Sequence, residues 1–121
     1  MIVKYVKERG YQGEGKDPHL TLGKEYIAIT VDFPPGKRPE ISKQSDCDGT
    51  PGLQPIEFFE IIDSSLPENY CFKVYENGFA SLQPVEFKGD FWDRYHDGDL
   101  EAEKLFEQVM TRLKKFHGWE V

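Results

Sequence analysis

The sequence has only two cysteines in 121 residues, no apolar run of the roughly 18 residues a membrane span needs, and no excess of positive charge. Cys47 and Cys71 are too few and too far apart for a zinc ribbon or a redox pair, so both are expected as thiols in a reducing compartment. The opening MIVKYVKERG lacks the apolar stretch and small-residue cleavage site of a secretory signal, and the expectation is cytoplasmic residence without a membrane partner. Fifteen Lys and Arg stand against 22 Asp and Glu, a net charge of −7. Such a balance works against nucleic acid and anionic lipid as partners and makes a basic protein the natural one.

Motifs of catalysis are equally scarce. There is no GxSxG, no GxGxxG following a strand and no phosphate-cradling loop. His19, His96 and His117 sit in unrelated segments without HExxH or HxH spacing. The acidic run around Asp97 fails as a calcium loop, because an EF-hand needs Gly at its sixth position and Ala102 stands there. Cys47, in QSDCDG, lies between two carboxylates that disfavour its thiolate, and Cys71 reads as a core residue of an apolar strand. The expectation is a protein that is not an enzyme and uses no cofactor or metal. The enzyme alternative rests on a carboxylate pair, Glu57 with Asp63 or Asp97 with Asp99, acting with a metal or as acid and base.

What is present suits one globular domain over 1–121: 38% apolar, 14% aromatic and 31% charged residues. Residues 1–88 read as mainly β. A first strand lies within Met1 to Glu8, a Gly-rich loop spans Gly10 to Pro18, and a long strand runs from Glu25 to Phe33 with alternation through 27, 29, 31 and 33. Five prolines and three glycines between Pro34 and Pro55 predict an irregular loop there, long enough to be a partner-contacting element. Strands follow over 57–63, 70–75 and 80–87, the last broken at Pro84, with Asn77-Gly78 predicting a hairpin between the last two. Residues 90–118 read as helical. FWDRYHDGD is a one-turn piece carrying Phe91 and Trp92, and Asp99 caps a helix whose apolar positions 102, 105, 106, 109, 110, 113 and 116 recur at three and four. Gly118 closes it. The fold class is therefore α+β: a small five-stranded antiparallel barrel or bent sheet followed by a C-terminal amphipathic helix.

Charge is unevenly placed. Residues 57–103 hold twelve acidic and three basic side chains, whereas 104–121 hold two and four. An acidic field of this kind speeds encounter with a basic protein and orients it, and the bland reading is a surface that keeps a small domain soluble.

Two blocks of sequence have a familiar look. HLTLGKEYIAITVDF, then EFFEIIDSSLPENYCF and a short QPVEF strand, resemble small bacterial proteins with a Src-homology-3-like (SH3-like) barrel. The tail FWDRYHDGDLEAEKLFEQV resembles the helix of small immunity proteins from bacterial polymorphic-toxin and contact-dependent growth inhibition systems. Together they cover Leu20 to Val109 apart from the Pro-rich loop. The resemblance implies an immunity protein, or antitoxin: it would bind the C-terminal domain of a cognate toxin, such as a nuclease with a basic substrate channel, and mask its active site.

A tight interface draws most of its energy from a few aromatic anchors. Candidates are Tyr11, Phe33, Tyr75, Tyr95 and Trp119, flanked by Asp90, Asp93, Asp97, Asp99, Glu101 and Glu103, with the 34–55 loop as a place to encode specificity. Phe33 and Tyr75 are equally readable as core. The alternative is a non-catalytic SH3-like module for a peptide or protein partner. A monomer is the expected free state.

Overall fold

The structure, a computed structural model, describes residues 1–8 and 19–120. Tyr11 and the Gly-rich loop expected over 10–18 lie outside the described residues. Eight strands are described where five were expected: β1 (Ile2–Tyr5), β2 (Glu25–Ile27), β3 (Thr30–Phe33), β4 (Glu40–Gln44), β5 (Pro51–Pro55), β6 (Phe59–Asp63), β7 (Tyr70–Val74) and β8 (Ala80–Pro84). They form two antiparallel sheets, one in the order β2-β1-β6 and one in the order β5-β4-β3-β8-β7. The barrel expectation is thereby corrected: the strands do not close on themselves, and each sheet keeps two edges.

The long strand expected over 25–33 is two strands on two sheets. Ala28 N still donates to Met1 O at 2.9 Å, while Ile29 N already donates to Ser42 O at 2.7 Å, so the chain changes partners between these residues. Alternation of apolar side chains did not reveal the switch, because Tyr26 through Val31 are all buried and serve two cores at once.

The Pro-rich segment is corrected too. Residues 34–55 contain β4 and β5, paired from Glu40↔Pro55 to Gln44↔Pro51. Prolines are tolerated because β5 is an edge strand. Ser45 N donates to Thr50 O and Ile56 N to Pro39 O, which places Pro51 and Pro55 at the intervening positions, whose nitrogens face away from β4.

Other expectations hold with adjusted bounds. The 57–63 segment begins as a 3-10 turn (Ile56–Phe58) and becomes β6, and Pro84 ends β8 before a second 3-10 turn (Val85–Phe87). Asn77-Gly78 makes the β7–β8 hairpin, with Gly78 at φ +86°, Asn77 Oδ1 accepting from Phe79 N and Tyr75 N donating to Phe79 O. Two helices follow, α1 (Phe91–His96) and α2 (Leu100–Phe116). Asp99 caps α2 by accepting from the amides of Glu101 and Ala102. At its far end Gly118, at φ +74°, donates to Lys115 O and Trp119 N donates to Lys114 O, the paired closure of a Schellman motif.

Two cores result. One lies between the sheets, with Val3, Tyr5, Tyr26, Ala28, Val31, Ile41 and Phe59. The other lies where α1 and α2 cover Ile27 and Ile29, and is built from Phe87, Phe91, Phe106, Val109, Met110 and Leu113. Arg112 clamps α2 to the turn after β8, both guanidinium arms donating to Glu86. Cys71 is half-buried rather than core, and no disulfide joins it to the exposed Cys47.

Candidate partner-binding surface

The α1–α2 junction gathers six of the residues singled out above. Asp90 precedes α1, Asp93 lies in its first turn, Asp97 follows it, and Asp99, Glu101 and Glu103 open α2. They converge because a three-residue link, Asp97 to Asp99, reverses the chain between the helices, with Asp99 N donating to Arg94 O at 3.0 Å. Arg94 is the cation within this group. Its Nε donates to Asp99 at 2.8 Å and its Nη2 lies 3.8 Å from Glu101. Among the described residues no ion pair involves Asp90, Asp93, Asp97 or Glu103, all four exposed. The Arg94 hydrogen bond, helped by the two capping amides, holds the Asp99 carboxyl below its usual range. Asp99 is thus committed to the fold, whereas Asp90, Asp93, Asp97 and Glu103 carry no such ion pair among the described residues.

A cluster of aromatic rings packs beneath the helices that carry these carboxylates. Phe87 and Phe91 stack at 4.4 Å, Phe91 meets Trp92 edge-on at 5.0 Å, and Tyr95 lies 5.1 Å from Phe106. Tyr95 is half-buried and its hydroxyl faces negative charge: burial, then Glu103, Glu107 and Asp48, push its pKa up. With Leu100, which is 70% exposed, Tyr95, Glu103, Lys104, Glu107 and Gln108 line a shallow groove along α2. Leu100 and Glu107 were missed by sequence reading. Leu100 falls out of phase with the apolar stripe, and that was the available signal.

Trp119 belongs elsewhere. It lies past the C-terminal end of the 17-residue α2, roughly 25 Å of helix from Asp99. There it lines a second cleft, together with Met110, Lys114 and the β4–β5 turn from Ser45 to Gly49. Phe33 and Tyr75 are exposed on the opposite part of the larger sheet.

The β4–β5 turn carries a polar network that sequence reading also missed. Asp46 accepts from Lys24 Nζ at 2.6 Å, Thr21 Oγ1 at 2.6 Å and the Tyr26 hydroxyl at 2.9 Å, and Thr21 N donates to that same hydroxyl. Burial raises the Asp46 carboxyl, and the three donors outweigh it and hold the group below its ordinary value. Burial pushes Tyr26 up to about 12. Thr21, Lys24 and Tyr26 are three of the four polar residues of LTLGKEY, so that stretch locks the turn of a hairpin onto the segment leading into β2.

The carboxylate pairs weighed for catalysis are separated or occupied. Glu57 pairs with Arg38 before β6, whereas Asp63, at the other end of β6, accepts from Ser65. Asp99 caps α2, beyond exposed Asp97. Among the described residues no three His, Cys, Asp or Glu side chains are grouped so as to hold a metal, and no helix is long and apolar enough to cross a membrane. Comparison with protein-family models, curated proteins and solved structures returned no match.

Proposed function

We propose that the protein is an immunity protein that binds the basic C-terminal domain of a cognate bacterial toxin in the cytoplasm and masks its active site, acting as a monomer and without chemistry of its own. The observation that carries this reading is the set of exposed carboxylates, Asp90, Asp93, Asp97 and Glu103, held without ion-pair partners among the described residues on an aromatic platform. A nuclease neutralises phosphates with Lys and Arg, so an acidic surface fixed in place competes for the channel its substrate uses. The likeness of the α1–α2 sequence to immunity-protein helices supports the same reading, and the bend between β2 and β3 favours an opened SH3-like barrel as its scaffold.

Co-expression with the C-terminal domain of a large secreted protein encoded next to this one tests it. Survival only in the presence of this chain, with a one-to-one complex that weakens at high salt, is the expected outcome. Undiminished toxicity sinks the reading. A second reading, an SH3-like module that binds an extended peptide, is favoured by the exposed β7 edge, where Phe72 and Val74 stand 60% and 61% exposed.

A further inference from the structure

The face of the larger sheet turned toward α1 is unusually polar for a buried surface. Thr30, Ser42, Ser81 and Gln83 are all nearly inaccessible there. Thr30 and Ser42 hydroxyls bond each other at 2.7 Å, and Ser81 Oγ donates to Asp32 Oδ1 at 2.7 Å. Between this face and α1 lies a cleft of about 250 Å³, lined by Thr30, Asp32 and Ser42, by Pro51 to Leu53 of β5, and by Trp92 and His96 of α1. Its volume falls below the about 300–1,000 Å³ typical of sites for drug-sized ligands. One side chain fits its scale.

The chemistry of the lining selects which one. Leu53, Pro51 and the Trp92 ring give apolar walls, Asp32 supplies a carboxylate, and no Lys or Arg lines the cleft. Apolar walls with a carboxylate suit a side chain with a hydrocarbon stem and a cationic end. Trp92 favours a planar guanidinium, which stacks on an indole face while donating to a carboxylate. Burial raises the Asp32 carboxyl, hydrogen bonds from Ser81 and Thr30 offset this only in part, and a cation arriving in the cleft would relieve the remaining cost. We propose that the cleft between α1 and the β3–β5 face receives one arginine side chain of the protein's basic partner. This rests on the reading above that the partner is basic, and adds the anchor by which it is gripped.

The test is an NMR titration of the full chain with Nα-acetyl-arginine methylamide, beside its neutral isostere built on citrulline and its lysine counterpart. Saturable shifts of the Trp92 indole N–H and of the Thr30 and Leu53 amides are expected, with citrulline at least tenfold weaker and lysine intermediate. Asp32→Asn, which keeps the shape and the Ser81 contact, and Leu53→Lys, which places an ammonium on an exposed edge residue, should each abolish the response while melting like the wild type. Equal response to citrulline, a lysine response stronger than arginine, or a response unchanged in both variants overturns the assignment. Capture of a toxin domain is read separately. If wild type, Asp32→Asn and Leu53→Lys neutralise it equally, the cleft is not the anchor and the immunity reading stands alone. If no toxin is captured but the arginine probe binds through Asp32, the guanidinium site stands and the immunity reading falls.

Discussion

The α1–α2 face and the β7 edge both lie open to solvent, and they differ in what stands behind them. Beneath Asp93, Asp97 and Glu103 the rings of Phe87, Phe91, Trp92 and Phe106 pack with centroids 4.4 to 6.3 Å apart, so the helices that carry the charges are anchored to the core. Phe72 and Val74 lie on the strand that borders the larger sheet, paired only with β8 and touched from β3 by the exposed ring of Phe33. Register puts Phe72, Leu82 and Val31 in one row and Val74, Ala80 and Phe33 in the next, so the sheet's inner face runs on past the point where the smaller sheet covers it. Charge that is mechanically supported can select and orient a partner. An uncovered apolar edge offers area and backbone groups, with little to discriminate between partners.

The largest effect expected from breaking this contrast is Phe106→Ala, which empties the centre of the aromatic platform. It should cost about 3–5 kcal/mol in urea denaturation, whereas Phe72→Ala, removing a ring of similar size from the β7 edge, should stay near 0.5 kcal/mol. Equal losses would mean that the two regions are supported alike. Next comes charge reversal: Asp93→Lys, Asp97→Lys and Glu103→Lys together should slow association with the proposed basic partner by about 10- to 100-fold at low salt, the gap narrowing as salt is added. Asp99→Ala sharpens the point. It should lower the melting temperature because it removes the α2 cap and the Arg94 contact, while Asp97→Ala leaves melting unchanged and affects association alone.

That division between Asp99 and Asp97 was half legible in the sequence. The cap could be read from Asp99 followed by Glu101, Glu103 and the apolar stripe, because helix ends and faces are local properties. The Arg94 contact needed the reversal at Gly98 to bring it about. The β4–β5 hairpin was hidden for a different reason: proline excludes a residue from the interior of a sheet, and whether a strand is an edge depends on pairings remote in sequence. Missing that hairpin also concealed Asp46 as the partner of Thr21, Lys24 and Tyr26, and removed β5 as a wall of the cleft under α1. Leu53 and Trp92 are 39 residues apart, and no spacing rule connects them.

A smaller effect is expected with pH. His117, at the end of α2, has a buried ring, with Nε2 3.0 Å from the Met1 amine and Nδ1 3.7 Å from Asp63. Burial first, then the neighbouring amine, depresses its pKa, and the amine is itself depressed by burial. Basic groups whose folded pKa is lowered stay neutral in the fold to lower pH and take up protons on unfolding. Stability should therefore decline as pH falls from about 8 through the ordinary histidine range near 6.5. The carboxyls of Asp46, Asp63 and Asp99, held low in the fold, add a separate loss only below about pH 4. His117→Gln should flatten the upper part of the profile and leave the acid limb in place; an unchanged upper slope would assign it to other groups.

The smallest effect belongs to the β7 edge. Phe33 and Phe72 meet edge-on at 6.0 Å, a contact between two exposed rings. Phe72→Lys should change stability by no more than about 0.5 kcal/mol and leave capture of the proposed toxin partner intact. If β7 is instead where the protein binds, the same substitution abolishes capture, because a lysine replaces an apolar contact on the strand a peptide would extend. The variant therefore decides between the two surfaces: loss of capture with unchanged melting moves the interface from the acidic helices to the sheet edge, and retention leaves Phe72 and Val74 as uncovered edge residues only.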